Sequence, residues 1–433
     1  MRLVASWLAV GVICGWAAGC GGDGGDDDVG AGDGGGVVDG GAADATVGPA
    51  ATVLRIHYPA GAEVVTVRGA GLPGGWTVGT STMAGGAGGG GADVWTYATT
   101  TLAAPTEWKP LLGDLWSLGA NYHVTPGQTV DVYPHFKTSR GQVMQFASPF
   151  ASTVLGNSRV VWAYLPPVYL ENTTVRLPVV YMHDGQNLFD AARAFGGVEW
   201  QVDETLDAAA AGGRCQDAGA KACMSDGDCN VGGGGGAGVR CESFRESIVI
   251  APENAGAARI YEYTPTFDAS YDPSGGADEF LQMLRTELKP RVDTMLRTLP
   301  GPADTAVVGS SLGGLLSAYA GVVQPGTFGL VGAMSPSTWW DGRVIIARVM
   351  TTPAAGAGAG ARPLRVYVDS GDAGSSMDGV TDTRALAQAY LARGYLMGQD
   401  FLHVVAPGHQ HSEGYWAQRL PGALGFLLGP RER

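Results

Sequence analysis

Ala306-Val307-Val308-Gly309-Ser310-Ser311-Leu312-Gly313-Gly314-Leu315 joins a β-forming run to a Gly-x-Ser-x-Gly turn that opens a helical pattern. Such a turn is sharp enough to lift one side chain above the end of a sheet, and the spacing selects Ser311 as that residue rather than Ser310. A serine hydroxyl is a weak nucleophile at neutral pH, so the chemistry needs a base and a group to orient it. Only His403, His409 and His411 lie downstream. His403 sits in the apolar run Phe401-Leu402-His403-Val404-Val405 and is a strand residue; His409 and His411 follow in a loop, where a base could reach the serine. The acid should end the preceding strand, Leu364-Arg365-Val366-Tyr367-Val368. Asp372, just past that strand and after Gly371, is assigned the role of orienting the histidine. Backbone N–H groups of Gln186, in the turn Asp184-Gly185-Gln186-Asn187 after an early strand, and of Leu312 are the candidate donors to an oxyanion. His183 precedes the nucleophile and is expected to shape that turn rather than act as base.

Elements of matching order must position these groups. From Arg159 onward, apolar β runs alternate with helical patterns, as in a mainly parallel sheet covered on both faces. Strands are expected at 160–165, 178–182, 247–251, 305–308, 330–334, 364–368 and 400–405. Helices are expected at 279–299, with Pro290 as a kink, and at 312–323, 381–393 and 414–428. The fold class is therefore α/β, with the nucleophile, acid and histidine following one another in the order of an α/β-hydrolase fold.

Four motifs together resemble the esterase D and enterochelin-esterase-like superfamily of α/β-hydrolases over residues 158–428. They are His183-Asp-Gly-Gln-Asn-Leu-Phe-Asp190, Gly309-Ser-Ser-Leu-Gly-Gly314, Met334-Ser-Pro-Ser-Thr-Trp-Trp340 and Gly408-x-x-His-Ser-Glu-x-x-Trp416. The last is similar to that family's Gly-x-x-His-Asn-Glu-x-x-Trp, with Ser412 in place of Asn, and the resemblance favours His411 over His409 as the base. Relatives often set the acid a few residues beyond the strand-end glycine, which keeps Asp378 and Asp369 as alternates to Asp372. The resemblance implies carboxylic ester hydrolysis, with siderophore, feruloyl and acetyl xylan esters as substrate classes and no metal or cofactor. Acyl transfer by the same residues and a non-catalytic glycan-binding role are the competing readings. Trp339 and Trp340 are candidate walls of the acyl or leaving-group pocket.

Residues 51–138 carry short β runs between glycine and proline breaks, without a helical pattern, and read as a small all-β sandwich. Gly69-Ala-Gly-Leu-Pro-Gly-Gly-Trp76, with Trp95, Trp108 and Trp116, resembles starch-binding and early-set carbohydrate modules, which implies a polysaccharide as a further partner. Residues 139–157 are expected to link this unit to the α/β domain at 158–430.

The first twenty residues combine Arg2, an apolar run and small residues before Cys20, the pattern of a secretion signal ending in a lipobox-like Ala-Gly-Cys. Lipidation at Cys20, export and contact with a bacterial membrane through that anchor alone are the expectations. Net charge is −14, and Asp23, Asp26, Asp27, Asp28, Asp33, Asp39 and Asp44 lie in a stretch, 21–50, without Lys or Arg. That stretch is too polar and glycine-rich to bury a core and reads as a tether. No basic stripe exists to neutralise phosphates, which argues against nucleic acid as a partner. Cys215, Cys223, Cys229 and Cys241 fall in an insertion at 212–243 without Cys-x-x-Cys pairs. In an exported chain they read as two disulfides of undetermined pairing rather than a zinc site, in a segment that could serve as a lid or rim.

Overall fold

The computed structural model describes residues 50–81, 83–84, 93–215, 221–230, 239–354, 358 and 360–432. The signal, Cys20 and all but the last residue of the tether lie outside them. The centre of the α/β region is an eight-stranded sheet: β1 (Gln142–Ala151), β2 (Ser158–Leu165), β3 (Val179–Met182), β4 (Ile248–Pro252), β5 (Thr305–Ser310), β6 (Leu330–Met334), β7 (Arg365–Gly371) and β8 (Phe401–Ala406). Their spatial order is β1-β2-β4-β3-β5-β6-β7-β8. The two strands at one edge pair antiparallel, and β4 through β8 are parallel.

Alternation along these strands divides the core into two layers. Val179, Tyr181, Ile248, Ile250, Val307 and Val331 face one cluster, where helices α1 (Leu312–Val323), α2 (Trp340–Met350) and α3 (Val380–Ala392) pack. Val180, Met182, Val249, Ala251, Ala306 and Val308 face the other, covered by α4 (Glu413–Leu428) and the helix Val202–Ala211. Both faces being buried explains why the parallel strands read as near-continuous apolar runs. The seven strands expected from sequence are present, as are α1, α3 and α4. The long helix expected at 279–299 is also present, ending at Met295: a π-helical turn at Leu284–Leu288 joins Ala277–Met283 to Lys289–Met295 without a break and accommodates Pro290.

One expectation is corrected here. Residues 139–157 are not simply a linker, because Gln142–Ala151 forms the edge strand β1, paired with β2 through two register shifts. Its Pro149 and polar residues hid it, and both are tolerated where one side of a strand is unpaired.

Before β1 lie two small sheets. One orders Met83–Ala84, Val94–Thr99, Thr52–His57 and Thr129–Val132; the other orders Thr80–Ser81, Val65–Gly69, Thr106–Leu112 and Leu115–Trp116, with Tyr122–Val124 beside Thr106–Leu112. Side chains from both meet in one cluster that includes Ile56, Val67, Trp95, Trp108 and Val130. Glu171 ties this region to the α/β part. Its carboxylate accepts N–H bonds from Phe136, Lys137 and Thr138 and the hydroxyl of Tyr58. Burial pushes the Glu171 carboxyl up, but these donors outweigh it and hold it below the usual range.

The cysteines pair as Cys215–Cys229 and Cys223–Cys241. They staple a three-stranded unit of Ala222–Cys223, Gly213–Cys215 and Cys241–Glu242. Its described residues dock on the N-terminal β region: Asn121 N–H donates to Met224 O, and Asp226 N–H to Glu107. These contacts fasten this part of the insertion to that region.

Candidate active site

β5 is buried at every residue and ends at Ser310, after which Ser311 turns the chain into α1 with φ 56° and ψ −122°. An L-residue held there costs about 1–3 kcal/mol, which the surrounding contacts must offset. The turn closes only because its neighbours lack side chains. A Cβ at Gly309 would lie 2.8 Å from the Gly313 backbone and from His183 Cδ2, and one at Gly314 would lie 2.7 Å from Met334 O. Ser311 N–H donates to Met334 O, Ser337 N–H donates to Ser311 O at 2.9 Å, and the two hydroxyls are 3.4 Å apart. Leu312 begins α1, so its N–H has no acceptor within the helix.

Beyond β3 the chain turns at Asp184 (φ 58°) into a single 3₁₀ turn, Gly185–Asn187. Asp184 holds this turn in place: Arg259 Nε and Nη2 donate to its two oxygens at 2.7 and 2.8 Å, and Asn254 Nδ2 donates at 2.7 Å. Gln186 is fixed through its side chain, which accepts Asn254 N–H at 3.2 Å. A cleft of about 250 Å³ beside it is lined by Val143, Trp162, Phe189, Asp190 and Arg193 as well as Gly185 and Gln186.

His183 lies beneath, packed against Tyr263 and Phe280, and neither ring nitrogen has a hydrogen-bond partner among the described residues. Burial pushes its pKa down to about 4. The unfolded chain binds this proton near pH 6.5 and the folded one only near pH 4, so stability falls as pH drops through that window, by up to about 3 kcal/mol. Urea unfolding at pH 7 and pH 4 should show wild type losing about that much more than His183→Asn over the same interval.

The carboxylate beside His411 is where sequence and structure part. Asp372 accepts the N–H of Gly408 at 2.7 Å, and it is Asp378 whose Oδ1 lies 2.6 Å from His411 Nδ1. β7 runs on to Gly371, past the strand end expected at Val368, so Asp372 is only the first residue of the following loop. Met377, Asp378 and Gly379 then take positive φ and fold that loop back, bringing Asp378 Oδ2 to the Gly371 N–H at 2.5 Å. Burial pushes the Asp378 carboxyl up, but hydrogen bonds from His411, Ser335 and Gly371 outweigh it, and the carboxylate stays ionised more readily than usual. With Nδ1 engaged, Nε2 is the ring nitrogen of His411 left for another partner. Its ring stands edge-on to Trp416 with centroids 4.9 Å apart.

Asp369, the other alternate, is structural. Fully buried in β7, it accepts Ser335 N–H, Tyr367 Oη–H and Arg419 Nε, and burial pushes its carboxyl up. His409 supports the same loop: its carbonyl accepts Ala373 N–H, and its ring lies 4.7 Å from Tyr415.

Two residues that sequence reasoning missed connect these parts. The Ser335 hydroxyl donates to Asp378 Oδ2 at 2.6 Å and accepts from Arg419 Nη2 at 2.6 Å and Trp416 Nε1 at 3.0 Å, using its one proton and both lone pairs. Arg419, buried on α4, joins Asp369 to this hydroxyl and neutralises the carboxylates around it. Ser335 was within the quoted Met334 motif, which was its only signal; Arg419 carried none. Replacing Arg419 by methionine strands Asp369 without its counter-charge and should cost about 3–5 kcal/mol in urea unfolding.

The two tryptophans separate. Trp340 is buried, its Nε1 directed to Thr266, whereas Trp339 is exposed beside Tyr271, so only Trp339 is available as a wall. Ser311 and His411 are thus connected through short steps: Ser311 to Met334, Ser335 to Asp378, and Asp378 to His411.

Among curated proteins, the siderophore enterobactin esterase of Emericella nidulans is 33% identical over 99 residues, 20% of this chain and 33% of its own length. The siderophore triacetylfusarinine C esterase of Aspergillus fumigatus is 33% identical over 88 residues, 20% of this chain and 30% of its own. The chain thus spans about a third of the length of these curated relatives. Among solved structures, the enterobactin esterase of Shigella flexneri aligns over 87% of this chain and 92% of that one, at 16% identity and a TM-score of 0.45. A family profile described as "Putative esterase" matches residues 152–232 and 236–427, more than half of the sequence. The chain belongs to this esterase family.

Proposed function

We propose that the protein is an exported serine carboxylesterase, with Ser311 as nucleophile, His411 as general base and Asp378 as the carboxylate that orients it. The observation that carries this reading is the 2.6 Å contact of Asp378 with His411 Nδ1, on loops beside the strained turn that presents Ser311. Ser311 Oγ attacks the ester carbonyl while His411 Nε2 takes its proton. The N–H groups of Gln186 and Leu312 hold the oxyanion of the tetrahedral intermediate. His411 returns the proton to the departing alcohol, and a water, activated by the same nitrogen, releases the acid. Asp378 remains ionised throughout and stabilises the imidazolium. No step calls for a metal or cofactor.

The siderophore esters named for the curated relatives and carbohydrate esters are the substrate classes to try first. A panel of short p-nitrophenyl esters, feruloyl sugars, acetylated xylan and ferric catecholate trilactones tests this. Turnover of none of them, by protein verified as folded, would count against the reading.

Residues 51–138 we read as a sandwich with a polysaccharide-binding role. Trp95 and Trp108 are buried in its core, leaving half-buried Trp76 and Trp116, 6.1 Å apart, as the rings a sugar could reach. Retention of the Ser311→Ala protein on polysaccharide gels, lost on Trp76→Ala, checks this. Export and acylation at Cys20 complete the proposal. Cys20→Ser should move the protein from the membrane fraction to the soluble one.

A further inference from the structure

Six large apolar side chains that stand out into solvent are attached directly to the loops of the Ser311 site. Phe195 is 77% exposed, and its N–H donates to Asn187, next to Gln186. Trp339, 46% exposed, lies two residues after Ser337, the residue bonded to Ser311. Tyr271 packs on Trp339 with centroids 5.8 Å apart, and Phe267, 60% exposed, adjoins Thr266, the acceptor for Trp340 Nε1. Met377 immediately precedes Asp378. Val198 is the sixth, its Cγ1 3.8 Å from the position of a Cβ on Gly414, in the first turn of the helix after His411. Phe195, Phe267, Tyr271 and Trp339 are also all of the strongly exposed large aromatic side chains among the described residues. Exposed leucines, valines and methionines are scattered elsewhere on the surface, but exposed aromatics are confined to this rim.

Exposure decides what the rim is for. Side chains that line a small-molecule pocket are shielded by the opposite wall, since such pockets bury most of their ligand. Phe195 and Phe267 remain mostly open to water and so offer little of a wall. A concentration of exposed apolar surface in one place marks a contact site. Because these side chains belong to segments linked to Ser337, Gln186 and Asp378, whatever covers them lies beside the Ser311 site and can also deliver the ester.

We propose that the enzyme takes its ester from a lipid–water interface: the apolar collar seats on the surface of an aggregate of acyl amphiphiles, and an ester carbonyl passes from it to Ser311. This rests on the reading of Ser311 as nucleophile. Binding to such a surface grows with the apolar area buried, and aromatic side chains favour the boundary between head groups and acyl chains.

The test uses the full chain carrying Cys20→Ser, so that no acyl anchor contributes. With Ser311→Ala added, the protein should sediment with phosphatidylcholine vesicles, and Phe195→Ser/Phe267→Ser should weaken that binding by at least about tenfold. With Ser311 intact, turnover of tributyrin should step upward as its concentration passes from dissolved monomer to emulsion. The double variant should lose the step while keeping its turnover of dissolved p-nitrophenyl acetate. Absence of vesicle binding, a rate that saturates on monomer with no step, or equal loss on both substrates would overturn the collar proposal while leaving Ser311 chemistry intact. Vesicle binding that depends on Phe195 and Phe267, with no turnover of any ester, would instead overturn the Ser311 reading and, with it, delivery of an ester from the interface.

Discussion

Ser311→Ala and His411→Ala should each lower kcat/KM for a short-chain ester by about four orders of magnitude or more, and the double variant should be little worse than either. The non-additivity follows from chemistry in which the hydroxyl is useful only while its proton can leave and the imidazole only while there is a hydroxyl to activate. The neighbours provide the internal controls. Ser310 is a buried residue of β5, one position before the turn, and His409 supports the loop through its carbonyl and its ring. Ser310→Ala and His409→Ala should therefore cost far less. Steady-state kinetics on the four single variants and the double variant, with thermal melts to verify folding, make the comparison.

Asp378→Asn should be the next most severe change, lowering turnover by about three to four orders of magnitude. An amide in that position can donate to His411 Nδ1, which favours the tautomer with its proton on Nε2, the nitrogen that must be free to accept one from Ser311. The imidazolium formed in the reaction also loses its buried counter-charge. Asp372→Asn keeps a side-chain oxygen that can accept the Gly408 N–H, removes only a charge, and should stay near wild type. The paired result separates the two carboxylates, six residues apart on one loop. Near-normal turnover in Asp378→Asn together with a large loss in Asp372→Asn would return the acid to the strand-end position that the sequence favours.

That pair of aspartates also marks how far the sequence could be read. The turn at Ser311 was legible because its requirements are local: Gly309 and Gly314 are needed where backbone, His183 and Met334 come too close for a Cβ. The parallel strands were legible because burial on both faces makes them uniformly apolar. The carboxylate beside His411 was not, because its position depends on where β7 ends and on three successive positive φ values at Met377, Asp378 and Gly379, the first at a residue whose type does not call for that conformation. Arg419 was invisible for a different reason. A charged residue in the middle of α4 reads as a solvated face until Asp369, Ser335 and Asp378 are brought against it from β6, β7 and the loop beyond. Strand β1 was concealed by the polarity proper to an edge, and the pairing of the four cysteines depended on the register of three short strands that no spacing encodes.

The central claim, that Ser311 is the activated nucleophile, is tested most directly by covalent labelling. After exposure of the folded protein to a fluorophosphonate probe, intact mass should show one adduct and peptide mapping should place it on Ser311. The adduct should be absent from Ser311→Ala and form far more slowly on His411→Ala. An adduct mapped to another residue, or retained in Ser311→Ala, would contradict the account.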